Sequence, residues 1–138
     1  MSTGRGLYTP EILAEAMELT QFPWDETLPL RGSARSRSCG SVIEIALRPD
    51  AGNLIAQIGI KPHACAVGQA AASCFARAAI GKDLSELRVS RTGLSRWLNG
   101  EADMPDWPGI ALLEPARAYP ARHGAILLAW DAAISALE

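Results

Sequence analysis

An α+β fold is expected for this chain, and three observations predict it. Ser41 to Arg48 and Leu54 to Lys61 alternate apolar and polar residues on either side of Pro49-Asp50-Ala51-Gly52-Asn53, the pattern of an antiparallel hairpin closed by turn residues. Lys61 to Gly81 (KPHACAVGQAAASCFARAAIG) is dominated by Ala, the strongest helix former. Near the C-terminus, Ile126, Trp130, Ala133, Ile134 and Leu137 recur at helical spacing, which predicts a last helix over about Ala121 to Leu137.

Size and composition set the frame. A chain of 138 residues suits one domain, residues 1–138, with its own core. Hydrophobic content of 49% against 20% charged residues describes a globular chain. The net charge of −2 gives no drive towards nucleic acid or an anionic membrane. No apolar run is long enough to cross a bilayer. The opening MSTGRGLYTPEIL lacks the apolar centre of a signal peptide, so a cytoplasmic protein is expected. Three cysteines are an odd number and too few for a disulfide framework. In a reducing compartment they are free thiols, ligands or reactive groups.

Taken in order, Thr9 caps a helix that starts at Pro10. Ile12, Leu13, Met17 and Leu19 supply its apolar side. Gln21 to Pro29 reads as an extended connection fastened by Phe22 and Trp24. Leu30 to Cys39 is a weaker strand, which if extended sends Ser33, Arg35, Arg37 and Cys39 to one face. In the next strand Ile43, Ile45 and Leu47 face one way and Glu44 and Arg48 the other. The returning strand places Leu54, Ala56, Ile58 and Ile60 together, completing a three-stranded meander. Pro62, which has no N–H, is expected to end that strand. A helix then starts near Ala64 or Cys65 and stops at Gly81. Beyond it, Asp83 to Tyr119 reads as an insertion that Trp97 and Trp107 pack onto the body.

Cys65 falls at the strand-to-helix junction, where unpaired backbone N–H groups and the positive end of the helix dipole favour a thiolate. Cys74 lies roughly 900° of helical rotation further on, on the opposite side, and shares a stripe with Val67, Ala71, Phe75 and Ala78. It is expected to be a core residue, because a free Cys packs as a small hydrophobe. Cys39 precedes one strand and Cys65 follows its neighbour. In a meander those two positions lie at the same edge of the sheet, so their thiols can meet.

Three stretches resemble the U-type iron–sulfur scaffold family of NifU N-terminal domains, IscU and SufU. Ser38-Cys39-Gly40 and the strand after it resemble the family's Cys-Gly-Asp. Ala64 to Ser73 (ACAVGQAAAS) resembles its Gly-Cys-Ala-Ile-Ser helix start. Tyr119 to Trp130 (YPARHGAILLAW) resembles the Pro-Ala-Arg segment of SufU-type members, which also carry an insertion like Asp83 to Tyr119. The resemblance implies a small antiparallel sheet packed on one face by helices, a SufE/NifU-like sandwich. It also implies a non-enzymatic assembly protein or sulfur acceptor served by a cysteine desulfurase and other iron–sulfur assembly proteins. Three cysteines and an Asp would then meet at one end of the molecule around a transient iron–sulfur cluster or zinc. Cys39 and Cys65 match this set, but Ser41 stands where the family has Asp and Ala125 where it has the third Cys. His63 and His123 are candidates to complete the site, and Arg35, Arg37 and Arg122 to line it.

Other readings compete. Loss of two ligands could leave a regulatory or partner-binding homologue that holds no metal. Val89 to Glu101 (VSRTGLSRWLNGE) resembles the recognition helix of helix-turn-helix repressors, with Ser90, Arg91, Thr92 and Arg96 towards a major groove. Ser41, Ser73 and Asp131 belong to no nucleophile-elbow motif, and no Gly-rich phosphate loop is present.

Overall fold

A computed structural model describes residues 4–138, and Met1, Ser2 and Thr3 lie outside the described residues. In chain order the elements are α1 (Gly4–Leu7), α2 (Pro10–Met17), β1 (Leu30–Arg35), β2 (Val42–Pro49), β3 (Ile55–His63), α3 (Ala66–Ala79), α4 (Leu84–Leu98) and α5 (His123–Leu137). Short 3-10 segments follow α2 and precede α5. The fold is α+β, as expected. Its sheet is an antiparallel meander in the order β1-β2-β3.

Helix α5 lies across β1 and β2, with α3 and α4 packed against it and α2 against α3. The crossing of β1 and α5 is close. A Cβ at Gly32 would come within 2.1 Å of the Ala132 carbonyl oxygen and 2.6 Å of the Ala136 nitrogen, so glycine is required there. The sheet's other face is partly covered by the connection after α2. Ile60 N–H donates to the Phe22 carbonyl at 2.9 Å, and a Cβ at Gly59 would strike the Pro23 carbonyl oxygen at 2.6 Å. Trp24 sits outside, with Lys61 Nζ 4.7 Å from its ring centroid. Phe22 packs on the core, as expected.

The centre of the core is an aromatic trio. Phe75 and Trp107 stack at 5.5 Å, and Trp130 meets both edge-on at 5.0 and 5.2 Å. Trp107 Nε1 donates to the Cys74 carbonyl at 3.0 Å, and Trp130 Nε1 to Ser90 Oγ at 3.1 Å. Both buried indoles therefore have acceptors, and Trp97 and Trp107 are both buried, as expected of residues that pack the Asp83 to Tyr119 segment onto the body.

Several expectations need correction. Leu13 and Met17 are exposed, while Glu15 is buried in α2. Its carboxylate accepts from Ser73 Oγ at 2.6 Å and from Arg77 at 2.8 Å, an anchor that hydrophobic periodicity cannot signal. β1 stops at Arg35, so Arg37 and Cys39 lie in a hairpin loop rather than on a strand face. β3 runs through Pro62 to His63. It is an edge strand, where a missing N–H need break no ladder bond. A bulge after Arg48, which pairs Arg48 with Gln57 and Pro49 with Ile55, changes the strand's parity. Ile55 is therefore buried, while Ala56 is exposed. The resemblance to a recognition helix also fails. Leu84–Leu98 is one uninterrupted helix with an Asp83/Glu86 capping box. Ser90 holds Trp130, and Arg91 donates to Asp131 at 2.8 Å, so these side chains are committed to α5.

Candidate functional site

The site forms where the sheet ladder runs out. Val42 pairs with His63 as the last partners of β2 and β3. A shallow surface cleft occupies this corner, lined by Cys39, Gly40, Ser41, Pro62, His63, Ala64, Cys65, Gln69 and Arg122. Two of the sequence-predicted residues, Cys39 and Cys65, thus open onto one cleft, each partly exposed.

Cys39 is carried by the β1–β2 hairpin loop. Ser36 N–H donates to the Ser41 carbonyl at 2.8 Å and Gly40 N–H to the Ser36 carbonyl at 3.0 Å, and Gly40 takes the left-handed φ of 71° that closes the turn. Ser38 Oγ donates to the Ala121 carbonyl at 2.7 Å and ties the loop to the segment leading into α5. Cys39 Sγ lies 3.4 Å from Ser36 Oγ and 3.1 Å from Ser41 Oγ. Burial by itself would raise its pKa. The hydroxyls of Ser36 and Ser41, the Ser41 backbone and the Arg122 charge outweigh that effect and hold the thiol below its ordinary value.

Cys65 is the N-cap residue of α3, in extended conformation, and its side chain makes no capping bond. Its carbonyl accepts from Gln69 N–H at 2.9 Å, while Gln69 Nε2 donates to the Ala64 carbonyl at 2.8 Å. Gly68, one turn into the helix, allows close packing on Ala125. A Cβ there would lie 3.4 Å from that of Ala125. Ala125 is fully buried beneath this corner.

The remaining candidates separate. His63 lines the cleft and is exposed. His123 is half-buried with Nε2 3.1 Å from the Arg117 carbonyl, and it is not among the cleft's lining residues. Arg122 lines the cleft, whereas Arg35 and Arg37 are exposed outside it. Cys74 is buried, as expected of a core residue. Sequence reasoning missed Ser36 and Gln69. A serine three residues before a cysteine carries no signal until the loop folds.

The donor set does not fit a self-sufficient metal site. Among the described residues no three His, Cys, Asp or Glu side chains gather as a metal-holding group. Structural zinc takes four ligands, and a two-iron cluster takes four cysteines. Here two thiols face a serine hydroxyl and a guanidinium.

Solved structures supply the class. The chain matches the N-terminal part of a nitrogen-fixing NifU-like protein from Brucella abortus with a TM-score of 0.84 and 29% identity, covering 98% of this chain and 94% of that one. It also matches a SUF-system iron–sulfur cluster assembly scaffold protein from Fervidobacterium islandicum with a TM-score of 0.85 and 22% identity, over 97% and 98% of the two chains. No protein-family model and no curated protein sequence matches the chain. In fold the chain is similar to these iron–sulfur scaffold proteins over nearly its whole length, and its cleft holds Cys39 and Cys65, the pair that the sequence resemblance singles out. Ser41 and Ala125 stand at two of the positions where the sequence resemblance implies ligands.

Proposed function

We propose that the protein works in iron–sulfur cluster assembly as a scaffold-type carrier, with sulfur or a nascent cluster as its cargo at Cys39 and Cys65. The observation that carries this reading is the opening of both cysteines onto one cleft, at the corner where β2, β3 and α3 meet, in a scaffold-type fold matched over nearly the whole chain. Thiolates suit the cargo, being both soft ligands and sulfur nucleophiles. The proposed sulfur source is a cysteine desulfurase, and the proposed setting is the cytoplasm. A bound zinc or cluster would need ligands from outside the described chain, because two thiols leave a tetrahedral centre open.

The test is anaerobic loading of the purified chain with ferrous iron and sulfide, with zinc, and separately with a charged desulfurase. Iron, sulfide, zinc and sulfane sulfur are then measured per chain. Cargo is expected to bind the wild-type protein and to be lost in Cys39→Ser and Cys65→Ser. Uptake of none of these cargoes would sink the carrier reading and leave the regulatory homologue in its place.

A further inference from the structure

We infer that Cys39 and Cys65 form a sulfur relay in which Cys39 takes a sulfane sulfur as a persulfide and Cys65 releases it as hydrosulfide by closing a Cys39–Cys65 disulfide. The inference rests on the sulfur-carrying part of the function proposed above and gives the two thiols different tasks.

Three observations carry it. First, the two thiols line one cleft, just beyond Val42 and His63, the last partners of β2 and β3. A disulfide needs Cα atoms about 4.4–6.8 Å apart, which is the approach the relay requires of this pair. Second, the two thiols are held differently. Cys39 Sγ has hydroxyls at 3.1 and 3.4 Å, which can turn to donate to a sulfur anion, whereas Cys65 makes no side-chain capping bond. The bracketed sulfur is suited to carry, and the unbracketed one to attack. Third, two thiols with no metal-holding group around them among the described residues make a poor resting metal centre but are sufficient for thiol–disulfide exchange. The third thiol does not compete, because Cys74 is buried and its Sγ donates to the Gly109 carbonyl at 3.6 Å.

The steps balance. A donor persulfide R–S–SH is attacked at its outer sulfur by the Cys39 thiolate, giving Cys39–S–SH and R–S⁻. The Cys65 thiolate then attacks Cys39 Sγ. The Sγ–S bond breaks, HS⁻ leaves with the electron pair, and the Cys39–Cys65 bond forms. The two thiols have together given two electrons to the sulfane sulfur. An external dithiol reductant resets the pair and is itself oxidised to a disulfide.

The experiment mixes reduced full-length protein, cleared of reductant, with glutathione persulfide under anaerobic conditions. Hydrosulfide is trapped over time, and the cysteines are mapped by non-reducing peptide mass spectrometry. Wild type should release hydrosulfide and gain the Cys39–Cys65 disulfide. Cys65→Ser and Cys65→Ala should retain the added sulfur on Cys39 and release hydrosulfide at least about tenfold more slowly. Cys39→Ser should form no such disulfide. Retention of wild-type release by both Cys65 variants, or a stable wild-type persulfide with no disulfide, overturns the relay and leaves sulfur carriage standing. Failure of Cys39 to take sulfur in every variant overturns both.

Discussion

The core and the cleft each hold a thiol, and they treat it in opposite ways. Cys74 is 1% exposed, beside the Phe75–Trp107–Trp130 cluster. Burial, with a smaller contribution from the Glu15 charge and against the opposing Arg77, pushes its thiol up to about 12. Cys39 sits on a loop, and hydroxyls and the Arg122 guanidinium hold its thiol low despite some burial. The contrast shows that residue type does not make a reactive cysteine. The difference lies in the balance: at Cys39 the donors and the cation within reach of the sulfur outweigh burial, whereas at Cys74 burial outweighs Arg77.

The largest test of the contrast is Trp130→Ala. It should cost about 3–5 kcal/mol in denaturant unfolding, because it empties the centre of the core. Cys39→Ser at the rim should stay within about 1 kcal/mol of wild type. Equal losses would mean that the cleft is as structural as the core.

Alkaline pH should separate the two regions next. The folded-state pKa of Cys74 lies above the unfolded value of 9.0. Its contribution to stability is therefore complete below about pH 9 and declines as pH rises towards about 12. Urea midpoints measured across that range should fall, and Cys74→Ala should flatten the fall. Cys39 has the opposite sign. Its lowered pKa makes it more ionised than an ordinary thiol below pH 9, so alkylation there should mark Cys39 and spare Cys74.

Glu15→Ala should cost about 1–3 kcal/mol, since it leaves the Ser73 hydroxyl and Arg77 without their shared acceptor. It should also lower the pH at which Cys74 ionises, because the Glu15 charge is one cause of the raised value. The smallest effect is expected from Gly124→Ala. A Cβ there would stand 2.9 Å from Ser36 Oγ and displace that hydroxyl from Cys39. Stability should change by no more than about 1 kcal/mol, since Ala is the better helix residue. Cys39 alkylation below pH 9 should slow. Unchanged alkylation would remove Ser36 from the account of Cys39.

Much of this was legible in the chain, for reasons that differ by element. The meander was readable because Ile43, Ile45 and Leu47 alternate cleanly and Pro49 to Asn53 is strong turn chemistry. The central helix was readable from its alanines and from Gly81, whose φ of 87° is the left-handed stop expected of it. Its surroundings were not. Helix α3 is buried on nearly all sides, Gly68, Ala70, Ala72 and Ser73 included, so the expected stripe was too narrow. A run of small residues does not reveal how many neighbours will pack around it. The bulge after Arg48 was equally invisible, since one extra residue in a strand leaves local composition unchanged.

The sequence by itself determined the local elements, the burial of Cys74, and the placing of Cys39 and Cys65 at one edge of the sheet. Periodicity, capping and turn chemistry act over a few residues and can be read without a fold. Tertiary structure decided what each thiol meets. It brought Arg122 to the cleft beside Cys39, turned His123 towards the Arg117 carbonyl, and buried Ala125 under the corner. The contacts of Arg122 with Cys39 and of Ala125 with Gly68 join residues far apart in the chain, and they exist only once α5 has packed across the sheet.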